Sequence, residues 1–284
     1  MLLTKVFQQR CQLIIGELST VTCEADVGGS LAGKSFKFYL KDHLGVEKKF
    51  WVYFKVDGVG ANPVTAGWYP ILVNISENDA ANTVANALRA ALKAYSGLTH
   101  LGVVAGTNPD VTIEGRWPGN TTNIADVDTG WASIATTTAG SATLEENIGL
   151  AAGAGAYVVR PIPNTAIYLR KLWISLSDTA VTDGAVFGAL VGALATGCAI
   201  KIRDHDYAAK LTLASALKTN SDMVNLGKPS MLSTTMYTLE IDLVDSFGGE
   251  LPVSGYTDED FCFEVNDALT GLVALYAKVE GHYA

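Results

Sequence analysis

The chain has 284 residues, enough for one large or two ordinary domains, each with its own core. Charged residues make up 17% and hydrophobic ones 49%; roughly 25% charged is usual for a soluble domain, so the composition suits a surface covered by neighbouring molecules. A net charge of −9, with no basic run longer than Lys48-Lys49, argues against a nucleic-acid partner, because phosphate contacts rest on Lys and Arg.

Residues 1–22 read as an N-terminal arm or first strand, with Phe7, Leu13 and Ile14 as apolar contact candidates. Gln8, Gln9 and Arg10 interrupt any signal-peptide core. From Ser35, Phe36, Phe38 and Leu40 alternate as a strand. Phe50 to Val56 is a second strand, nearly all aromatic or β-branched, and Ile71, Val73 and Ile75 mark a third. Ser76 is placed as an N-cap, and Ala80, Val84, Ala87, Leu88, Ala91 and Leu92 recur at helical spacing until Gly97. Short strands follow near Leu101–Val104, Val111–Glu114 and Trp131–Thr136, so residues 23–138 form an α+β module.

Residues 139–160 read as a linker, small and non-periodic up to 156. Ala185 to Ile200 is the most apolar stretch; it is too short for a membrane span and reads as a short buried helix and turn. Candidate strands are Ile167–Leu176, Ala199–Arg203, Lys210–Leu213, Met236–Val244, Asp260–Val265 and Leu272–Glu280. Residues 161–284 are therefore expected to be all-β, a sandwich or jelly roll.

Gly28-Gly29-Ser30-Leu31-Ala32-Gly33-Lys34-Ser35 matches the phosphate-binding loop pattern, in which N–H groups cradle phosphates, Lys meets their charge and Ser holds magnesium. That chemistry needs a buried strand before the loop and a helix after it. Here acidic Glu24-Ala25-Asp26 precedes it and an alternating strand follows, so Gly28, Gly33, Lys34 and Ser35 are expected to be a turn leading into a strand. Asp204-His205-Asp206 reads as an exposed polar turn, because consecutive strand residues cannot converge on one metal without a bulge; Asp258-Glu259-Asp260 reads as an acidic turn, with cation binding through its carboxylate oxygens as the alternative. The four cysteines show no metal-ligand spacing and read as separate thiols, with a disulfide as the alternative, since spacing alone gives no connectivity. Trp51, Trp68, Trp117 and Trp131 suit core or interface positions, with Trp68 and Trp117 the candidates for an interface.

A resemblance rests on several of these residues. Gly33, Lys34 and Phe36, the strand FWVYFKVDG, Asn62-Pro63, the helix residues Asp79, Ala80 and Leu88, and Val111 to Gly115 resemble a module of tailed-bacteriophage virion proteins over residues 22 to 136. Phe187, Leu190, Leu194 to Ile200 and Leu217 to Asp222 are similar, more weakly, to jelly-roll-like phage structural domains. The resemblance implies a non-enzymatic capsid decoration or cement protein, a homotrimer in the virion assembled in the host cytoplasm. Its partner would be the major capsid protein, with no cofactor, metal, nucleic acid or membrane. A tail, baseplate or neck protein is the alternative. A nucleotide- or glycan-binding protein using Gly28–Ser35 or the exposed aromatics is a minor one.

Overall fold

A computed structural model describes residues 6–13, 16–128, 131–141, 155–180, 183–232 and 235–284. The chain is mostly β, in several largely antiparallel sheets. In order, the strands are β1 (Val6–Arg10), β2 (Gln12–Leu13), β3 (Leu18–Cys23), β4 (Ser35–Lys41), β5 (Glu47–Val56) and β6 (Tyr69–Ile75). Helix α1 (Ala81–Ala94) precedes β7 (Gly102–Ala105), β8 (Asp110–Gly115), β9 (Ala125–Asp126) and β10 (Ala132–Thr138). Then come β11 (Gly155–Val159), β12 (Ala166–Ser177), β13 (Cys198–Arg203), β14 (Ala209–Leu217), α2 (Asn220–Leu226), β15 (Lys228–Leu232) and β16 (Met236–Asp242). The last are α3 (Leu243–Phe247), β17 (Leu251–Ser254), β18 (Asp260–Val265) and β19 (Ala274–Tyr283).

The contacts divide the chain into two units, Ile15–Thr143 and a second made of Met1–Ile14 with Leu144–Ala284. In the first, one sheet runs β10-β3-β8-β7 and the other β6-β5-β4-β9. Their inner residues build one core with α1: Phe36, Phe38 and Leu40 from β4, Phe50, Val52 and Phe54 from β5, Ile71 and Val73 from β6, and Val84, Leu88 and Leu92 from the helix. Alternation is the cause. Along β4 and β6 every second residue is buried, so the apolar residues of each strand fall on one face. The β5–β6 pair is parallel.

In the second unit, β1-β19-β12-β16-β15 and β14-β13-β18-β11-β2 enclose a common core that includes Leu172, Ile174, Ile200, Phe261, Phe263 and Val279. This is a sandwich arrangement. The long β12 pairs with β17 through Ala166–Leu169 and with β16 through Lys171–Ser177; its pairing with β19 shifts register between Leu169 and Lys171.

Several sequence expectations change. Residues 6–13, read as an arm, pair with β19 and β11 inside the second unit, while Leu18–Cys23 belongs to the first. The end of the expected linker, Gly155–Val159, is a strand between β18 and β2; residues 142–154 lie outside the described residues. Helix α1 starts at Ala81, not at Ser76. Asp79 accepts from the Ser76 N–H (2.8 Å) and Asn78 has φ +64°, so a closed turn occupies the first expected helical turn.

The expected helix within Ala185–Ile200 is absent. Turns run to Gly197, and Cys198 begins β13. Side chains replace helical bonding there: Asn220 accepts from Gly188 N–H and donates to the Asp183 and Gly188 carbonyls, and Asp267 accepts from the Ala195, Thr196 and Gly197 N–H groups. The expected strand Met236–Val244 ends at Asp242, whose side chain caps α3. Helix α2 was not foreseen, although the Thr219–Asp222 capping box is visible in the sequence.

Candidate functional site

The Gly28–Ser35 loop is built around an internal anion. Asp26 is buried. Its carboxylate accepts from the N–H groups of Gly29 (2.8 Å), Leu31 (2.9 Å) and Asn78 (3.0 Å). Ser30 Oγ accepts from Val27 N–H, and Asn78 Oδ1 accepts from Gly28 N–H. Burial works against the Asp26 charge, but the N–H bonds outweigh it and hold the carboxyl below its ordinary range. Gly28 and Gly29 have φ of +58° and +80°, which turns their amides inward. Several of the amides that would cradle a phosphate thus face a carboxylate of the same loop. Strand β4 follows, with Ser35 buried and its hydroxyl donating to Asp128 (3.0 Å); Lys34 is half-buried.

Asp258-Glu259-Asp260, read as an acidic turn, runs from the end of a turn at Asp258 into β18 at Asp260. All three residues are buried. Asp260 takes a bidentate pair of bonds from Arg203 (2.9 and 3.0 Å) and one from Arg160 (2.9 Å). Burial opposes the Arg203 charge, but the Asp260 bonds prevail and push its pKa up. Glu259 pairs with Lys210 and accepts from Ser254 N–H and Thr257 Oγ1. The Asp204-His205-Asp206 segment is a turn, as expected: Asp204 accepts from the N–H groups of Asp206 and Ala208. His205 Nδ1 lies 3.6 Å from Asp258, a contact between segments remote in sequence. Among the described residues no group of three or more His, Cys, Asp or Glu is placed to hold a metal ion.

A mixed aromatic and cationic face covers the outside of the β4–β5 sheet. Lys37, Tyr39 and Lys41 alternate with the core residues of β4, and Lys49, Trp51, Tyr53 and Lys55 with those of β5. The register sets Lys37 opposite Trp51 and Tyr39 opposite Lys49. Lys37 Nζ lies 3.8 Å from the Trp51 ring centroid and 4.8 Å from that of Trp68. Trp68 meets Tyr39 and Trp51 edge to face. The sequence hid this face because its lysines, Lys37, Lys41, Lys49 and Lys55, lie at least four positions apart on two strands.

The other contact candidates are partly engaged within the chain. Phe7 packs on the second core and against Tyr283 (5.1 Å), and Leu13 packs on the same core. Trp117 is half-buried, and its Nε1 donates to the His100 carbonyl (2.6 Å). Ile14 lies outside the described residues. All four cysteines are buried free thiols; burial pushes Cys23, Cys198 and Cys262 up to about 12 and Cys11 up as well, which keeps them protonated.

Concavities among the described residues include two in the second unit. One of about 370 Å³ is lined by residues including Gly227, Lys228, Glu240, Asp242 and Asp245. Another of about 210 Å³, on the outer face of the β1-β19-β12-β16 sheet, is lined by Arg10, Trp173, Ser175, Thr238, Tyr276 and Lys278. Its cations lie against its own rings: Lys278 is 4.5 Å from Trp173, and Arg10 is 4.7 Å from Tyr276.

No protein-family model matches the chain, and no curated protein matches it. A chain from the structure of infectious bursal disease virus Gx strain aligns with 97% of this chain and 65% of its own length, at 9% identity and a TM-score of 0.13. At that score the likeness carries no argument.

Proposed function

We propose that the chain is a non-enzymatic structural component of a tailed phage particle, a capsid decoration or cement protein that binds neighbouring capsid subunits. In this reading residues 23–138, within the Ile15–Thr143 unit, are the virion module, and the sandwich is a jelly roll that forms a homotrimer and grips the major capsid protein. The sequence resemblance supports the phage assignment. The observation that carries a structural role is the use of the polar clusters. Asp26 holds a loop closed, Asp260 joins two arginines, and Glu259 ties Lys210 to Ser254, so each carboxylate serves the fold.

Cryo-electron microscopy of purified particles tests placement. Density for this chain over the junctions of capsid subunits is the expected result. Finding it only in the tail, baseplate or neck would move the protein to the alternative class, and finding no copy in the particle would sink both. A nucleotide-binding role for Gly28–Ser35 has a separate check. Calorimetric titration with ATP and magnesium is expected to give no heat of binding at millimolar nucleotide. Binding that Lys34→Ala abolishes in a folded protein would overturn the structural reading of that loop.

A further inference from the structure

The edges of the sheets differ in how they are guarded. Strand β1 carries Gln8, Gln9 and Arg10; β14 has three register irregularities and Lys210; β10 has a bulge; β7 has four residues and β9 two. Bulges, charge and brevity are the usual devices that stop an edge from pairing with another chain. Strand β6, Tyr-Pro-Ile-Leu-Val-Asn-Ile, ends its sheet with seven unbroken pairs to β5 and no charged residue. Pro70, Leu72 and Asn74 are exposed.

The direction of the β6 backbone groups follows from one bond. Asp57, which continues β5, donates its N–H to the Ile75 carbonyl (3.0 Å). Residue 75 therefore faces β5, and by alternation so do 73, 71 and 69. Residues 70, 72 and 74 face away. Pro70 fits that parity, since proline is tolerated in a strand where no ladder N–H is needed. The free edge thus offers the N–H and C=O of Leu72 and of Asn74, and the C=O of Pro70.

We propose that β6 pairs antiparallel with β6 of a second copy about a twofold axis at Val73, joining the two four-stranded sheets into one of eight. In this register Leu72 of each copy faces Asn74 of the other, and both exchange N–H···O=C bonds, four in all. Centring on Leu72 instead would set Asn74 against Pro70, which has no N–H to return. Extending the chosen register by one pair would need the Ser76 N–H, which is already given to Asp79. Pro70 and the Ser76 turn thus bound a segment that is its own complement. A copy also meets no like charge across this edge. The nearest outward lysine, Lys55, sits opposite Asn74 on β5. Its mate would be three strand spacings away, about 14 Å, well beyond the Debye length of roughly 8 Å. The inference does not depend on the phage reading. Added to the threefold contact proposed above, it would pair trimers into hexamers of D3 symmetry.

Sedimentation equilibrium of the full chain tests it. The wild type is expected to have an even number of copies, and L72K and N74K to have half the wild-type mass. Both side chains lie outside the core, so circular dichroism should be unchanged. N74P, which removes one outward N–H, should act in the same direction. The double variant L72C/N74C is expected to form a disulfide-linked dimer under mild oxidation, since hydrogen-bonded antiparallel pairs have Cα atoms about 5.5 Å apart. A wild-type mass equal to an odd number of copies would overturn the proposal. So would an even mass that all three edge variants leave intact, no cross-link in the double variant, or an edge that captures only a strand of a different protein.

Discussion

Asp26 shows how one side chain decides what a motif can do. Three N–H groups converge on its carboxylate, and hydrogen bonds to a charged group contribute about 1.5–3 kcal/mol. Asp26→Ala is therefore expected to destabilise the first unit by about that much, measured by denaturant unfolding. The pH dependence has a definite sign. The folded carboxyl lies below its unfolded value of about 3.9. Its contribution is fully present above that value and is lost as pH falls through the folded one. Asp26→Asn should flatten the acid limb of the stability profile, and an unchanged limb would refute the assignment. Asp260 carries a larger effect, because its removal leaves Arg160 and Arg203 buried without their shared anion. Breaking such a pair costs about 3–5 kcal/mol, so Asp260→Ala should lower the thermal midpoint more than Asp26→Ala does.

Strands were more legible than helix ends or loops. The alternation in β4 and β6 is a property of neighbouring residues, and the sequence displays it directly. The start of α1 is set by the Ser76–Asp79 turn, which the Asn78 N–H ties to Asp26, a residue 52 positions away, and local spacing cannot show that tie. The 185–197 segment makes the same point. Its apolar content suggested a helix, but Asn220 and Asp267 satisfy its backbone from a distance. Asn220→Ala removes three bonds from a buried position and should raise amide exchange across residues 183–190 by at least tenfold; exchange matching the wild type would mean the loop holds itself.

At the scale of the whole molecule, each unit completes its own sheets and its own core. The Ile15–Thr143 fragment is thus expected to fold alone and melt cooperatively; a fragment lacking cooperative unfolding would contradict that independence. The second unit draws on both ends of the chain, since β1 pairs with β19 and β2 with β11. The sequence by itself determined a largely β chain, the inner faces of its strands, and a poor context for phosphate binding, because alternation and flanking residues are local properties. Only the tertiary structure decided that residues 6–13 belong with the C-terminal half, that the acidic triplet is buried with Asp260 against two arginines, and that β6 is an unguarded edge. Those facts depend on which strands become neighbours, and strand pairing is settled by packing between residues far apart in the chain.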